Sequence, residues 1–156
     1  MSYLTKGAVA PDFTLTNQDE QQVNLSQLLK TNRVLVYFYP KAMTPGCTVQ
    51  ACGLRDTQQQ LQDKGVTVVG ISTDSPARLK KFAERDNLNF TLLADEDHKV
   101  ADAYGVWGEK KFMGKTYMGT LRTTFLIDEN GVIEKIITKP DSKNHGQEIV
   151  GLLKKK

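Results

Sequence analysis

The chain has 156 residues, 39% hydrophobic and 25% charged, with a formal net charge of +3, which suits one soluble globular domain with a core of its own. Lys154-Lys155-Lys156 at the very end accounts for as much as that excess, and no basic cluster is interleaved with aromatics, so a nucleic-acid footprint is excluded. No run approaches membrane-spanning length and the first residues hold no apolar signal core; the expected location is the cytosol, with no membrane partner.

In chain order, Asp12-Phe13-Thr14-Leu15 and Gln22-Val23-Asn24-Leu25 are short strand-like pieces around the polar turn 16–21 and predict a hairpin. The apolar run Val34-Leu35-Val36-Tyr37-Phe38-Tyr39 predicts a fully buried strand. Thr44-Pro45 then offers an N-cap hydroxyl and a proline at the first helical position. A helix is predicted from Pro45 to Lys64, with Ala51, Leu54 and Leu61 at helical spacing and Gly65 as its stop. Val66 to Ile71 is the second core strand, and Ser75-Pro76 opens a helix with Leu79, Phe82 and Ala83 on one face. Phe90 to Leu93 reads as a short strand and Asp95 to Tyr104 as a small helix stopped by Gly105.

From Val106 to Tyr117 the glycine-punctuated, charged sequence reads as a loop, in which Trp107 is assigned an ordinary packing role. Thr123 to Ile127 and Val132 to Ile137 flank Asn130-Gly131, a hairpin signal, and Ser142 can cap a last helix. The order β-β-β-α-β-α-β-α-β-β-α predicts an α/β domain over residues 1–156, with a mixed sheet covered by helices on both faces. Ligands in such sheets sit at the C-terminal ends of the parallel strands, where Cys47 falls.

Cys47 and Cys52, the two cysteines of the chain, carry the chemistry. In a reducing compartment they are expected to be catalytic or metal-binding and not structural. Cys47 is placed in the first helical turn, near unsatisfied N–H groups and the positive end of the macrodipole, which favour a thiolate over a thiol. A thiolate reacts with peroxides and disulfides. Four residues separate the pair, so it is not the C-x-x-C of thioredoxin-like oxidoreductases. On an ideal helix their Cα atoms stand roughly 8.6 Å apart, beyond the ~7 Å that a disulfide tolerates. A Cys47–Cys52 bridge therefore requires the turn to unwind. Cys47, Cys52, His98 and His145 offer no four-ligand zinc grouping, and both histidines are read as solvated. No metal or other cofactor is expected.

Pro40-x-x-x-Thr44-x-x-Cys47 matches the P-x-x-x-[TS]-x-x-C signature of peroxiredoxins. With Tyr37-Phe38-Tyr39, Cys52, Gly105-Val106-Trp107-Gly108 and Arg122 to Asp128, the chain resembles the bacterioferritin comigratory protein, or peroxiredoxin Q, subfamily over nearly its whole length. The resemblance implies a thioredoxin-like fold and a thiol peroxidase acting on hydrogen peroxide and organic hydroperoxides. It implies that Cys47 is the peroxidatic cysteine, that Thr44 and Pro40 shape and shield its pocket, that Arg122 holds the thiolate and peroxide oxygens, and that Cys52 is the resolving cysteine. Thioredoxin as reductant and a monomeric state are implied in the same way. Ala42-Met43 departs from the polar pair often found there and implies a different polarity at the pocket rim. A protein thiol–disulfide reductase, disfavoured by the missing C-x-x-C, and a non-catalytic redox sensor or holdase are the alternatives.

Overall fold

Successive side chains of the strand after Asn32 point to opposite faces of a sheet, and both faces are buried: this fixes the architecture. The computed structural model describes residues 5–137, so the helix expected after Ser142, His145 and the lysine tail lie outside the described residues. Strand β3 (Arg33–Phe38) lies inside a seven-stranded sheet. On one face Leu35 and Tyr37 pack with Ala51, Leu54 and Leu61 of helix α2 (Pro45–Asp63) and with Leu79 and Phe82 of α3 (Pro76–Asp86). On the other, Val34, Val36 and Phe38 meet Val100, Tyr104, Phe125 and Ile127. A strand covered twice has no polar side to alternate, hence the unbroken apolar run.

The sheet contains β1 (Thr14–Asn17), β2 (Gln22–Asn24), β4 (Val66–Ser72), β5 (Thr91–Ala94), β8 (Thr123–Ile127) and β9 (Ile133–Ile137) in the spatial order β2-β1-β5-β4-β3-β8-β9. Strands β3, β4 and β5 are parallel, while β8 runs antiparallel to β3 and β1 antiparallel to β5. The mixed sheet with helices on both faces is the expected α/β arrangement, and the N-terminal hairpin forms an edge of that sheet. Gly70 of β4 is required by packing: a Cβ there would lie 2.7 Å from the Tyr37 ring.

Beyond end shifts of one or two residues, as in β1 and β5, three segments differ from expectation. Leu25 is not the end of β2 but the start of a short helix α1 (Leu25–Leu29), because the Asn24 side chain accepts the Gln27 N–H and caps it. The helix expected from Asp95 begins four residues later, as α4 (Lys99–Ala103). Asp95 instead turns its carboxylate onto the Val100 and Ala101 N–H groups, at 3.2 and 2.9 Å. Finally, the expected loop after Gly105 is a two-stranded hairpin, β6 (Trp107–Phe112) and β7 (Lys115–Thr120). Met113 and Gly114 at its tip both have positive φ, 51° and 79°, the geometry that matches strand twist across a two-residue turn. This ribbon stands apart from the main sheet with much of β7 exposed, so it lacks the apolar alternation by which strands are recognised.

The parallel strands β3 and β4 end on the same edge. From there β3 runs through Pro40 into the start of α2, and β4 runs through Asp74 into α3. The register pairs Phe38 of β3 with Thr123 of β8, so Arg122 arrives at the same edge from the other direction.

Candidate active site

Cys47 sits two residues into α2 after Pro45, with Thr44 at the N-cap position (φ −80°, ψ 155°). Position and backbone are as expected, but the Thr44 hydroxyl does not cap the helix. It donates instead to the Lys41 carbonyl at 2.9 Å. The first N–H groups of a helix lack intrahelical partners, and the Thr48 N–H reaches the Thr44 carbonyl at 2.8 Å.

The Cys47 side chain is 1% exposed. Arg122 Nη2 donates to its sulfur at 3.2 Å, and Nη1 donates to Gln50 Oε1 at 2.6 Å. Gln50, three residues along the helix from Cys47, is fully buried and orients the guanidinium. A guanidinium directed at a sulfur in a water-poor site is an arrangement suited to nucleophilic sulfur chemistry. Cys52 lies one and a half turns further on the unbroken helix, partly buried, and both thiols are free. Burial, the largest influence, pushes the Cys52 thiol above its ordinary value against the opposing pull of Arg55.

A groove of about 390 Å³ opens beside this constellation. Pro40 and Thr44 form one wall; Trp107, Lys110, Tyr117 and Met118 of the β6–β7 ribbon form the other. Lys110 donates to the Thr120 carbonyl at 3.1 Å, and burial together with the neighbouring Arg122 charge lowers its pKa. Ala42 is fully buried, so the departure at Ala42-Met43 alters the packing beneath the loop more than the rim. The Ala42 N–H donates to Asp74 and its carbonyl accepts from Arg78. Trp107 stacks on His98, with ring centroids 4.0 Å apart and planes 3° apart, while His98 Nδ1 lies 2.8 Å from Asp102. His98 therefore packs and pairs and is not simply solvated. No group of three or more metal-ligating side chains occurs among the described residues.

A family model described as the AhpC/TSA family matches residues 6–136. The chain belongs to that family. Peroxiredoxin Bcp of Escherichia coli is 56% identical over 154 residues, 99% of this chain and 98% of that protein. Among solved structures, peroxidoxin BcpB of Mycobacterium tuberculosis superposes with a TM-score of 0.87 at 34% identity, covering 98% of each chain. The bacterioferritin comigratory protein of Xanthomonas campestris, whose structure is described in terms of alkyl peroxide reduction, superposes with a TM-score of 0.84 at 26% identity, covering 92% of this chain and 90% of that one. The chain is thus a peroxiredoxin of the Bcp/PrxQ type, a thiol peroxidase on a thioredoxin-like fold.

Of the residues singled out from the sequence, Cys47 and Arg122 are in direct contact, Thr44 and Pro40 line the adjoining groove, and Cys52 stands apart on the same helix. Gln50, Asp74 and Lys110 were not singled out. A glutamine one turn after Cys47 was a usable signal, since positions i and i+3 share a helix face.

Proposed function

We propose that this peroxiredoxin reduces hydrogen peroxide and organic hydroperoxides through a sulfenic acid on Cys47, which Cys52 resolves as an intramolecular disulfide for thioredoxin to reduce. The observation that carries the proposal is the Arg122 guanidinium on the buried Cys47 sulfur at 3.2 Å, with a second cysteine on the same helix.

The Cys47 thiolate attacks the terminal peroxide oxygen; the S–O bond forms as the O–O bond breaks. The leaving oxygen departs with the electron pair and takes a proton from solvent, giving water or an alcohol. Arg122 and the first-turn N–H groups of α2 meet the charge that shifts along the O–O bond. Thr44 orients the peroxide, and Pro40 limits water at the sulfur. The Cys52 sulfur then displaces hydroxide from the Cys47 sulfenic acid, releasing water and forming the disulfide, and a dithiol restores both thiols by exchange. In this reading the protein acts as a monomer in the cytosol; among the described helices none is long and apolar enough to cross a membrane.

The test is peroxide consumption coupled to thioredoxin and its reductase. The wild type turns over, Cys47→Ser consumes nothing, and Cys52→Ser reacts once and then stalls. More than a few per cent of wild-type turnover in Cys47→Ser would remove Cys47 from the reaction.

A further inference from the structure

We propose that Asp74 is a positioning residue for peroxide reduction, acting on Thr44 through the Lys41–Ala42 peptide. The inference rests on the function proposed above and concerns how the Thr44 hydroxyl is aimed.

The Thr44 hydroxyl donates to the Lys41 carbonyl at 2.9 Å. A carbonyl oxygen carries no proton, so the hydroxyl hydrogen must point at it. The oxygen lone pairs are left for an incoming donor, and the O–H of a hydroperoxide is such a donor. The Lys41 carbonyl shares one planar peptide unit with the Ala42 N–H, which donates to Asp74 Oδ2 at 2.7 Å. Rotating that plane would break both bonds, so the carboxylate that holds one end sets the direction of the other.

Asp74 is itself fixed. Its Oδ2 also accepts the Ser72 hydroxyl at 2.7 Å, and Oδ1 lies 3.0 Å from Arg78 Nε. Arg78 Nη2 donates to the Ala42 carbonyl at 3.2 Å, so the following peptide plane is gripped too. Asp74 is 9% exposed and Ala42 fully buried. In such surroundings a carboxylate on an amide N–H polarises its carbonyl and strengthens the bond that carbonyl accepts. Between Ala42 and Thr44 stands Met43 with φ at 67°, a conformation that persists in a residue with a side chain only where the surroundings over-determine it. The Asp74–Arg78 pair supplies that constraint.

A double-mutant cycle tests the proposal, with single-turnover stopped-flow measurement of hydrogen peroxide reacting with the reduced enzyme. Asp74→Ala should slow this step about tenfold, within the span of couplings between residues in one network. In a Thr44→Val background the same substitution should change the rate by less than about twofold, since the hydroxyl it acts through is gone. Asp74→Asn, whose amide oxygen can still accept the Ala42 N–H, should recover most of the rate; if Asp74→Ala does not fold, Arg78→Ala, which frees Asp74 Oδ1 and the Ala42 carbonyl, takes its place in the cycle with the same expected and overturning outcomes. Arg33→Ala serves as the control for lost stability, because it breaks a 3.2 Å ion pair with Glu134 at the far end of β3; it should leave the peroxide step unchanged. Equal effects of the Asp74 change in both backgrounds, or none in either, would overturn the inference. Absence of a Cys47 sulfenic acid in Cys52→Ser would instead overturn the function on which it rests.

Discussion

Cys47 and Cys52 are the same residue type with different neighbours. Arg122 directs a charged donor at the first sulfur, whereas burial holds the second above the ordinary thiol range. Arg122→Ala should slow sulfenic acid formation by ~10²-fold, the usual loss for one preorganised donor. Arg122→Lys should recover little, because an ammonium cannot fork to Cys47 and Gln50 together. Stopped-flow kinetics with hydrogen peroxide check both, and a wild-type rate in Arg122→Ala would take the guanidinium out of the reaction. For Cys52 the direction of the shift means that the folded protein keeps the thiol protonated to higher pH than the unfolded chain does. In Cys47→Ser, alkylation of Cys52 should therefore rise with a midpoint above about 8.5, the free-thiol value, and fall back toward it in denaturant; a midpoint at or below that value in the folded protein would contradict the burial. At this scale the eight residues from Pro40 to Cys47 were legible because the motif is local. Thr44 was placed correctly but not its hydroxyl direction, which depends on a carbonyl three residues back. Gln50 passed unnoticed because one buried glutamine in a glutamine-rich helix carries no pattern of its own.

At the scale of elements, α2 is unbroken from Pro45 to Asp63, which leaves the cysteine Cα atoms about 8.6 Å apart by helix geometry. Side chains of α3 and its end tie this stretch down: Arg85 Nη2 donates to Thr48 Oγ1 at 2.7 Å, and Arg55 Nη1 to the Asp86 carbonyl at 2.6 Å. Disulfide formation must release such contacts and open the turn. Amides from Thr48 to Arg55 should consequently exchange faster with solvent in the disulfide form than in the dithiol form, while β3 and β4 stay protected. Equal protection in both forms would mean that Cys52 does not close onto Cys47. Beneath the same helix, Gly70→Ala would push a methyl into the Tyr37 ring. Such overpacking should destabilise the fold by about 1–3 kcal/mol, read as a lower Tm; an unchanged Tm would show that the ring has room to move. Elements that bury a face, such as β3, β4, α2 and α3, were legible from their periodicity. The β6–β7 ribbon was not, because a strand pair with much of one strand in solvent has no need of alternating apolar residues. With it the far wall of the groove, Lys110 included, was hidden from sequence reasoning.

For the molecule as a whole, the sheet topology converts distant sequence into one site. Arg122 is 75 residues from Cys47 in the chain, and antiparallel pairing of β8 with β3 brings it to the edge where β3 feeds α2. Sequence order indicated a mixed sheet and the edge at which the site lies, since both follow from the alternation of strands and helices. Strand order and the meeting of Asp74 with Ala42 follow from long-range packing, which no local pattern encodes. The most direct measurement of the central claim is the intact mass of the reduced protein after one equivalent of hydrogen peroxide, under non-reducing conditions. The wild type should remain a single chain that has lost two hydrogens, with Cys47 and Cys52 joined within one peptide fragment, while Cys52→Ser should instead gain one oxygen on Cys47, trapped by dimedone. An oxidised wild type linked between two chains, or a Cys52→Ser protein that gains no oxygen at Cys47, would contradict it.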